Sequence, residues 1–243
     1  MKTKFLYYLL ILLFIIPSCN NSELIMVESS VDFTSERVGE LHNLFVERAI
    51  NEYIPKAKII TVATRAGEEE VIVERLEYAG LIEYLASQPE VQGYVNVSDV
   101  KKIMDLYSNF KINNDSSLSY VGQLNEYLKS KIAEIYGVTY DEIMDHSSTR
   151  SASYTVEREY AASVYKASSI LWTNHHQYQT RLADNDVIVA DTAGALWGCF
   201  FGPIGSIIAG GVASLVANNV DVESGAASDT EGVEIWKCNP KYI

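Results

Sequence analysis

The four histidines and three cysteines of this 243-residue chain are the side chains best suited to metal binding or nucleophilic chemistry, and their spacing limits what they can do. His175 and His176 are adjacent, so on a helix they point about 100° apart and cannot share one ligand. No two histidines stand three or four residues apart, the spacing at which a helix offers two imidazoles to one zinc ion. Glu142 and His146 do have the i, i+4 spacing, and with Asp141 and Asp145 they could hold a cation. No third ligand is pointed out, and a solvated helix face with a local Glu to His contact gives the same pattern. His42, beside Asn43, reads as a buried polar pair with a structural histidine. "DHSSTRSAS", residues 145–153, sets acid, imidazole and hydroxyls side by side. Triad members converge from separate elements, however, and no GxSxG elbow is present, so the segment reads as a loop between helices. With no phosphate loop, dinucleotide fingerprint or CxxC spacing, the sequence assigns no catalytic residue, no metal site and no cofactor.

The cysteines divide by position. Cys19 closes an apolar N-terminal segment, which leaves Cys199 and Cys238. In an oxidising compartment these two could pair, closing a loop of about 40 residues for about 4 kcal/mol in the chain-entropy picture. Two unpaired thiols, Cys199 buried and Cys238 near a frayed end, are the alternative.

The elements that must position these side chains are mostly helical. Thr34 or Ser35 caps a helix carrying Val38, Leu41, Phe45 and Ala49 on one face, stopped near Pro55. Residues 58–65 alternate and are β-branched, the best strand in the chain, though isolated. Glu68 to Glu70 place negative charge at the start of a second helix, whose Tyr78, Leu81, Ile82 and Leu85 form its apolar stripe. Ser98 and Asp99 open a third, with Val100, Ile103, Met104, Tyr107 and Phe110 at helical spacing. A fourth runs through Val121, Leu124, Leu128, Ile132 and Ile135 and ends at Gly137. Thr139 and Glu142 form a capping-box pair for a short helix ending near His146. Tyr154 to Leu182 lacks Gly and Pro and reads as one long helix. Tyrosines such as Tyr78, Tyr107, Tyr127, Tyr160 and Tyr178 recur on helix faces, as rim residues with hydroxyls in water or as a sugar- or peptide-binding surface. The fold class is mainly α, a helical bundle with little β.

Thr192 to Ala217 is a run of 26 residues without a charge. Gly194, Gly198 and Gly202 stand four apart, as do Gly205, Ala209, Ala213 and Ala217, so each half carries a groove of small residues that lets another backbone approach. As one helix the run would reach about 39 Å, enough for a bilayer core of about 30 Å. Gly202-Pro203 interrupts it, leaving halves of about 22 Å, too short to span. A helical hairpin with Pro203 in the first turn of its second helix is therefore expected. The same hairpin suits a bundle core or conditional insertion into lipid. This run resembles a glycine zipper, a packing motif of membrane-active peptides, bacteriocin-like segments and several envelope lipoproteins.

The chain opens "MKTKFLYYLLILLFIIPSCNN", with two lysines, an apolar run and a small residue before Cys19, the pattern of a secretory leader. Ile16-Pro17-Ser18-Cys19 resembles the lipobox of bacterial lipoproteins, which implies lipidation of Cys19. Asn20 and Asn21 imply the outer membrane, facing periplasm or exterior. Removal of residues 1–18 leaves 17 basic residues against 32 acidic, a net charge of −15, which disfavours nucleic acid and anionic lipid. The expected organisation is a signal peptide (1–18), a lipidated tether (19–32), a helical domain (33–186), the glycine-zipper hairpin (187–219) and an acidic tail (220–243) that reads as a loop until "VEIW", a short strand or a docked extension. The expected function is that of a lipid-anchored, non-enzymatic bacterial envelope protein whose hairpin serves packing, assembly or membrane contact. Its expected partners are the membrane, through the lipid, and either itself or another envelope protein. The alternatives are a bacteriocin-like or pore-forming effector and an envelope hydrolase.

Overall fold

The apolar spacing along the chain becomes a set of helices wrapped around the hairpin. The computed structural model describes residues 33–57, 59–66, 69–112, 118–145, 147, 153–175, 184–218 and 221–223. Helix α1 (Ser35–Arg48) starts where the Thr34 side chain accepts from the Arg37 amide, and its Val38, Leu41, Phe45 and Val46 are buried. A π turn at Ala49–Tyr53 and a 3-10 turn at Ile54–Lys56 end it around Pro55.

Strands β1 (Ile59–Ala66) and β2 (Glu69–Leu76) pair antiparallel, and β3 (Asp221–Glu223) pairs antiparallel with β2, giving the order β1-β2-β3. The expected isolated strand is thus paired. Residues 69–76 form a strand, where the acidic start of a helix was expected. Val71-Ile72-Val73 is a β-branched run that favours extended backbone, and the antiparallel partner supplies its hydrogen bonds.

Helix α2 (Tyr78–Ala86) consequently begins at Tyr78 and buries Tyr78, Leu81, Ile82 and Leu85. Helix α3 (Val97–Ser108) is capped two residues before Ser98, because the Asn96 side chain accepts from the Ser98 amide at 2.9 Å. Helix α4 (Tyr120–Tyr136) stops at Gly137, which takes the left-handed conformation at φ 69°. Helix α5 (Tyr140–Met144) carries the full capping box of Thr139 and Glu142. The long helix α6 spans Thr155–His175.

Helices α7 (Asp184–Gly198) and α8 (Gly202–Asn218) form the hairpin, joined by a 3-10 turn at Cys199–Phe201. The two pack most extensively against each other, while α1, α4 and α6 surround them and α2 and α3 lean on α8. Every residue of α8 from Gly205 to Ala217 is buried. The hairpin is therefore the centre of the helical unit, and its outer faces are covered by the amphipathic stripes of its neighbours.

Candidate functional site at the centre of the hairpin

The small residues of the hairpin act through backbone approach. A Cβ added at Gly194 would stand 2.7 Å from the Ala209 carbonyl oxygen and 2.8 Å from the Ala213 Cβ. At Gly198 it would stand 2.6 Å from the Gly205 carbonyl carbon and 2.9 Å from the Ala209 Cβ. Gly205 reciprocates against the Gly198 carbonyl. Gly194, Gly198, Gly205, Ala209 and Ala213 thus line one α7–α8 seam, and Ala217 lies buried near its end. Gly202 is not in the seam. It sits at the turn with φ 80° and open space around it, so its role is the left-handed backbone that starts α8 ahead of Pro203.

Where the seam is tightest, side chains have little room and polar groups must find partners inside the fold. Tyr107 of α3, fully buried, donates its hydroxyl to the Ala209 carbonyl at 2.5 Å, and Tyr136 donates to the Leu196 carbonyl at 3.1 Å. Tyr127 and Tyr160 likewise donate to the carbonyls of Leu106 and Phe33. These hydroxyls bond backbone where solvent was one expected destination, and Tyr178 lies outside the described residues. Asn125 of α4 donates to the Asp186 carbonyl at 3.1 Å, tying α4 to the start of α7.

The centre of the site is Asp191 on α7, with no exposed surface. Its Oδ2 accepts from Ser168 Oγ and Trp172 Nε1 (3.1 Å) on α6 and from Ser214 Oγ (2.9 Å) on α8. Across from them His42 of α1, equally sealed, places Nε2 3.9 Å from the same oxygen. One carboxyl group therefore meets side chains from three other helices. His42 is held from its other side: Asn43 donates its amide to the Ala167 carbonyl at 2.8 Å, which turns its Oδ1 toward His42 Nδ1 at 3.1 Å. An amide oxygen only accepts, so Nδ1 donates in that bond and Nε2 is the ring nitrogen turned toward Asp191. Neither His42 Nε2 nor Asp191 Oδ1 has a hydrogen-bond partner. Burial sets the ionisation, pushing the Asp191 carboxyl up to about 7 against the pull of its three donors and the His42 imidazole down to about 4.

Serine, histidine and aspartate meet here in an order that does not serve hydrolysis. In a hydrolytic triad the imidazole stands between hydroxyl and carboxylate and takes the hydroxyl proton. Ser168 instead bonds the carboxylate directly, and none of the three reaches solvent. The arrangement ties helices together.

The remaining expected sites fall elsewhere. Cys199 lies in the hairpin turn, its thiol donating to the Glu157 carbonyl at 3.6 Å, and it is in no disulfide among the described residues. Burial pushes that thiol up to about 12, so it is held as an unreactive thiol. Cys238 and Cys19 lie outside the described residues, as do His146 and His176. Glu142 is committed to the Thr139 cap, and no group of three or more metal-ligating side chains occurs among the described residues.

Beside the hairpin turn an open groove of about 530 Å³ is lined by Lys102, Asp105, Tyr127, Lys131, Trp197 and Phe201, with Phe200 exposed at its edge. Lys102 lies over the Phe201 ring at 4.9 Å.

Asp191 was missed by sequence reasoning because it is the last charge before the uncharged run. Ser168 and Trp172 are single polar groups in a long helix. The readable signal was one acidic residue next to 26 uncharged ones, with a histidine already read as buried. No protein-family model, curated protein or solved structure matches this chain.

Proposed function

We propose that this is a lipid-anchored, non-enzymatic protein of the bacterial envelope, attached through Cys19, in which the small-residue hairpin is the packing core of the exported helical unit. The observation that supports the core role is the closure of the seam within the chain itself. Gly194 and Gly198 meet the backbone of α8, and the buried Asp191 carboxyl of the hairpin is tied to α6 and α8. A hairpin whose grooves are filled by its own halves needs no second membrane segment to complete it. The leader and its cysteine support export and attachment.

The test is metabolic labelling with palmitate in cells expressing the full chain. Label is expected on the wild-type protein and not on Cys19→Ser. Label on both, or recovery of the wild type with the cytoplasm, overturns the reading.

A second reading, a pore-forming effector, is favoured by the apolarity of the two hairpin helices over Asn185–Asn218. Purified Cys19→Ser protein separates the two. Dye-loaded liposomes stay intact under the core reading, and leakage at any pH from 4 to 8 supports the effector.

A further inference from the structure

Strand β1 is the outer strand of its sheet, joined to β2 on one side and to no strand on the other, and among the described residues it packs extensively against β2 alone. It is 8 residues long, and its pairing runs from Ile59 to Ala66 without a break. It holds no proline, no lysine and no bulge, the usual devices that keep an open edge from pairing. The opposite edge, β3, is 3 residues long and offers little to pair with.

Antiparallel geometry says which backbone groups the open edge presents. Ala66 faces Glu69 across a two-residue connection, so that pair exchanges hydrogen bonds, and Thr64, Val62 and Ile60 follow as the residues bonded to β2. The amides and carbonyls of Ile59, Thr61, Ala63 and Arg65 therefore point away from β2. Two copies of β1 laid antiparallel with Val62 on a two-fold axis place Thr61 opposite Ala63 and Ile59 opposite Arg65, each pair occurring twice by symmetry. Every outward group from Ile59 to Arg65 then has a partner. Moving the axis to Thr61 or to Ala63 leaves Arg65 or Ile59 opposite a residue outside the strand.

Charge points to the same occupant. The chain has 32 acidic residues against 19 basic, yet no acid lies between Glu52 and Glu68, a stretch that carries Lys56, Lys58 and Arg65. In the two-fold register the start of one β1, just after Lys56, meets the end of the other, where that chain goes on to Glu69 and Glu70 of β2. Basic and acidic positions come together at both ends of the contact, and the two Arg65 positions stand at opposite ends.

We propose that β1 is a dimer contact, through which a second copy of this chain joins its three-stranded sheet to the first about an axis at Val62. The pairing uses both β1 edges and leaves only the short β3 edges outside, so the assembly closes at two copies. It stands whether or not Cys19 carries lipid.

The experiment uses the purified full chain carrying Cys19→Ser and Cys238→Ser, which removes the lipid site and a competing thiol. By sedimentation this protein is expected to be a dimer. Ala63→Pro deletes an outward amide that β2 does not use, and it is expected to raise the dimer dissociation constant about tenfold or more with the helical circular dichroism unchanged. A monomer before that substitution, or a dimer that Ala63→Pro leaves intact, overturns the proposal. Cysteine crosslinks read the register, and they decide alone if the proline variant fails to fold. Val62→Cys is expected to form a disulfide dimer under mild oxidation, since opposed residues of this kind stand about 4.5 Å apart at Cα. Ile60→Cys alone is expected not to, its two copies lying about 14 Å apart, whereas a mixture of Ile60→Cys and Thr64→Cys chains is expected to crosslink. No crosslink at Val62, or one as efficient at Ile60 alone, overturns the proposal.

Discussion

Replacing Gly198 by alanine tests whether backbone approach, more than side-chain packing, holds the hairpin together. The new Cβ would stand 2.6 Å from the Gly205 carbonyl carbon and 2.9 Å from the Ala209 Cβ. One obstacle is backbone and the other a bare methyl, and neither can rotate away. Relief requires α7 and α8 to separate, which breaks contacts along the whole seam. Overpacking costs about 1–3 kcal/mol, and a rigid backbone obstacle places this site at the upper end. Alanine recovers about 1 kcal/mol over glycine in a helix, so the expected net loss is about 2 kcal/mol. In a chain of this size that lowers the melting temperature by about 4–8 °C. The assay is thermal and urea unfolding of Gly198→Ala beside Gly93→Ala, whose Cβ would meet nothing within 4 Å. Gly93→Ala is expected to stay within about 0.5 kcal/mol of wild type. A Gly198→Ala protein as stable as wild type, or more stable, would refute the seam.

Two further substitutions follow from the same core. Tyr107→Phe removes a side-chain donor from the Ala209 carbonyl and should cost about 1–2 kcal/mol by urea unfolding, with secondary structure unchanged by circular dichroism. Gly137→Ala forces a Cβ into the left-handed conformation at the end of α4 and should cost about 1 kcal/mol in the same assay, whereas Gly137→Asn, which tolerates that conformation, should cost less.

The sequence was most informative where a local rule and burial agree. The stripe Val38, Leu41 and Phe45, the stop at Gly137, the Thr139–Glu142 box and the break before Pro203 all require only neighbours along the chain, and each is present. The strand at 69–76 was misread because Glu68 to Glu70 is a good helix start in isolation. The antiparallel partner β1, a contact between separate segments, decides for strand. The site was less legible still. The spacing of Gly194 and Gly198 exposes a groove, but not that Gly205 fills it, and Gly202 shares the spacing while its backbone makes the turn. Asp191 acquires its meaning only from Ser168, Ser214 and His42, which lie 23 residues before it, 23 after it and on the first helix of the fold. No local pattern encodes that convergence.

The position of α7 and α8 at the centre of the bundle also sets an order in time. A chain made from its N-terminus releases α1 to α6 before the two helices they enclose exist. Their apolar stripes then have nothing to close around, so the helical unit cannot complete its core until residues 184–218 have been synthesised. A protein built this way stays open through most of its synthesis, and among the described residues the last helices to appear are the ones that finish the fold.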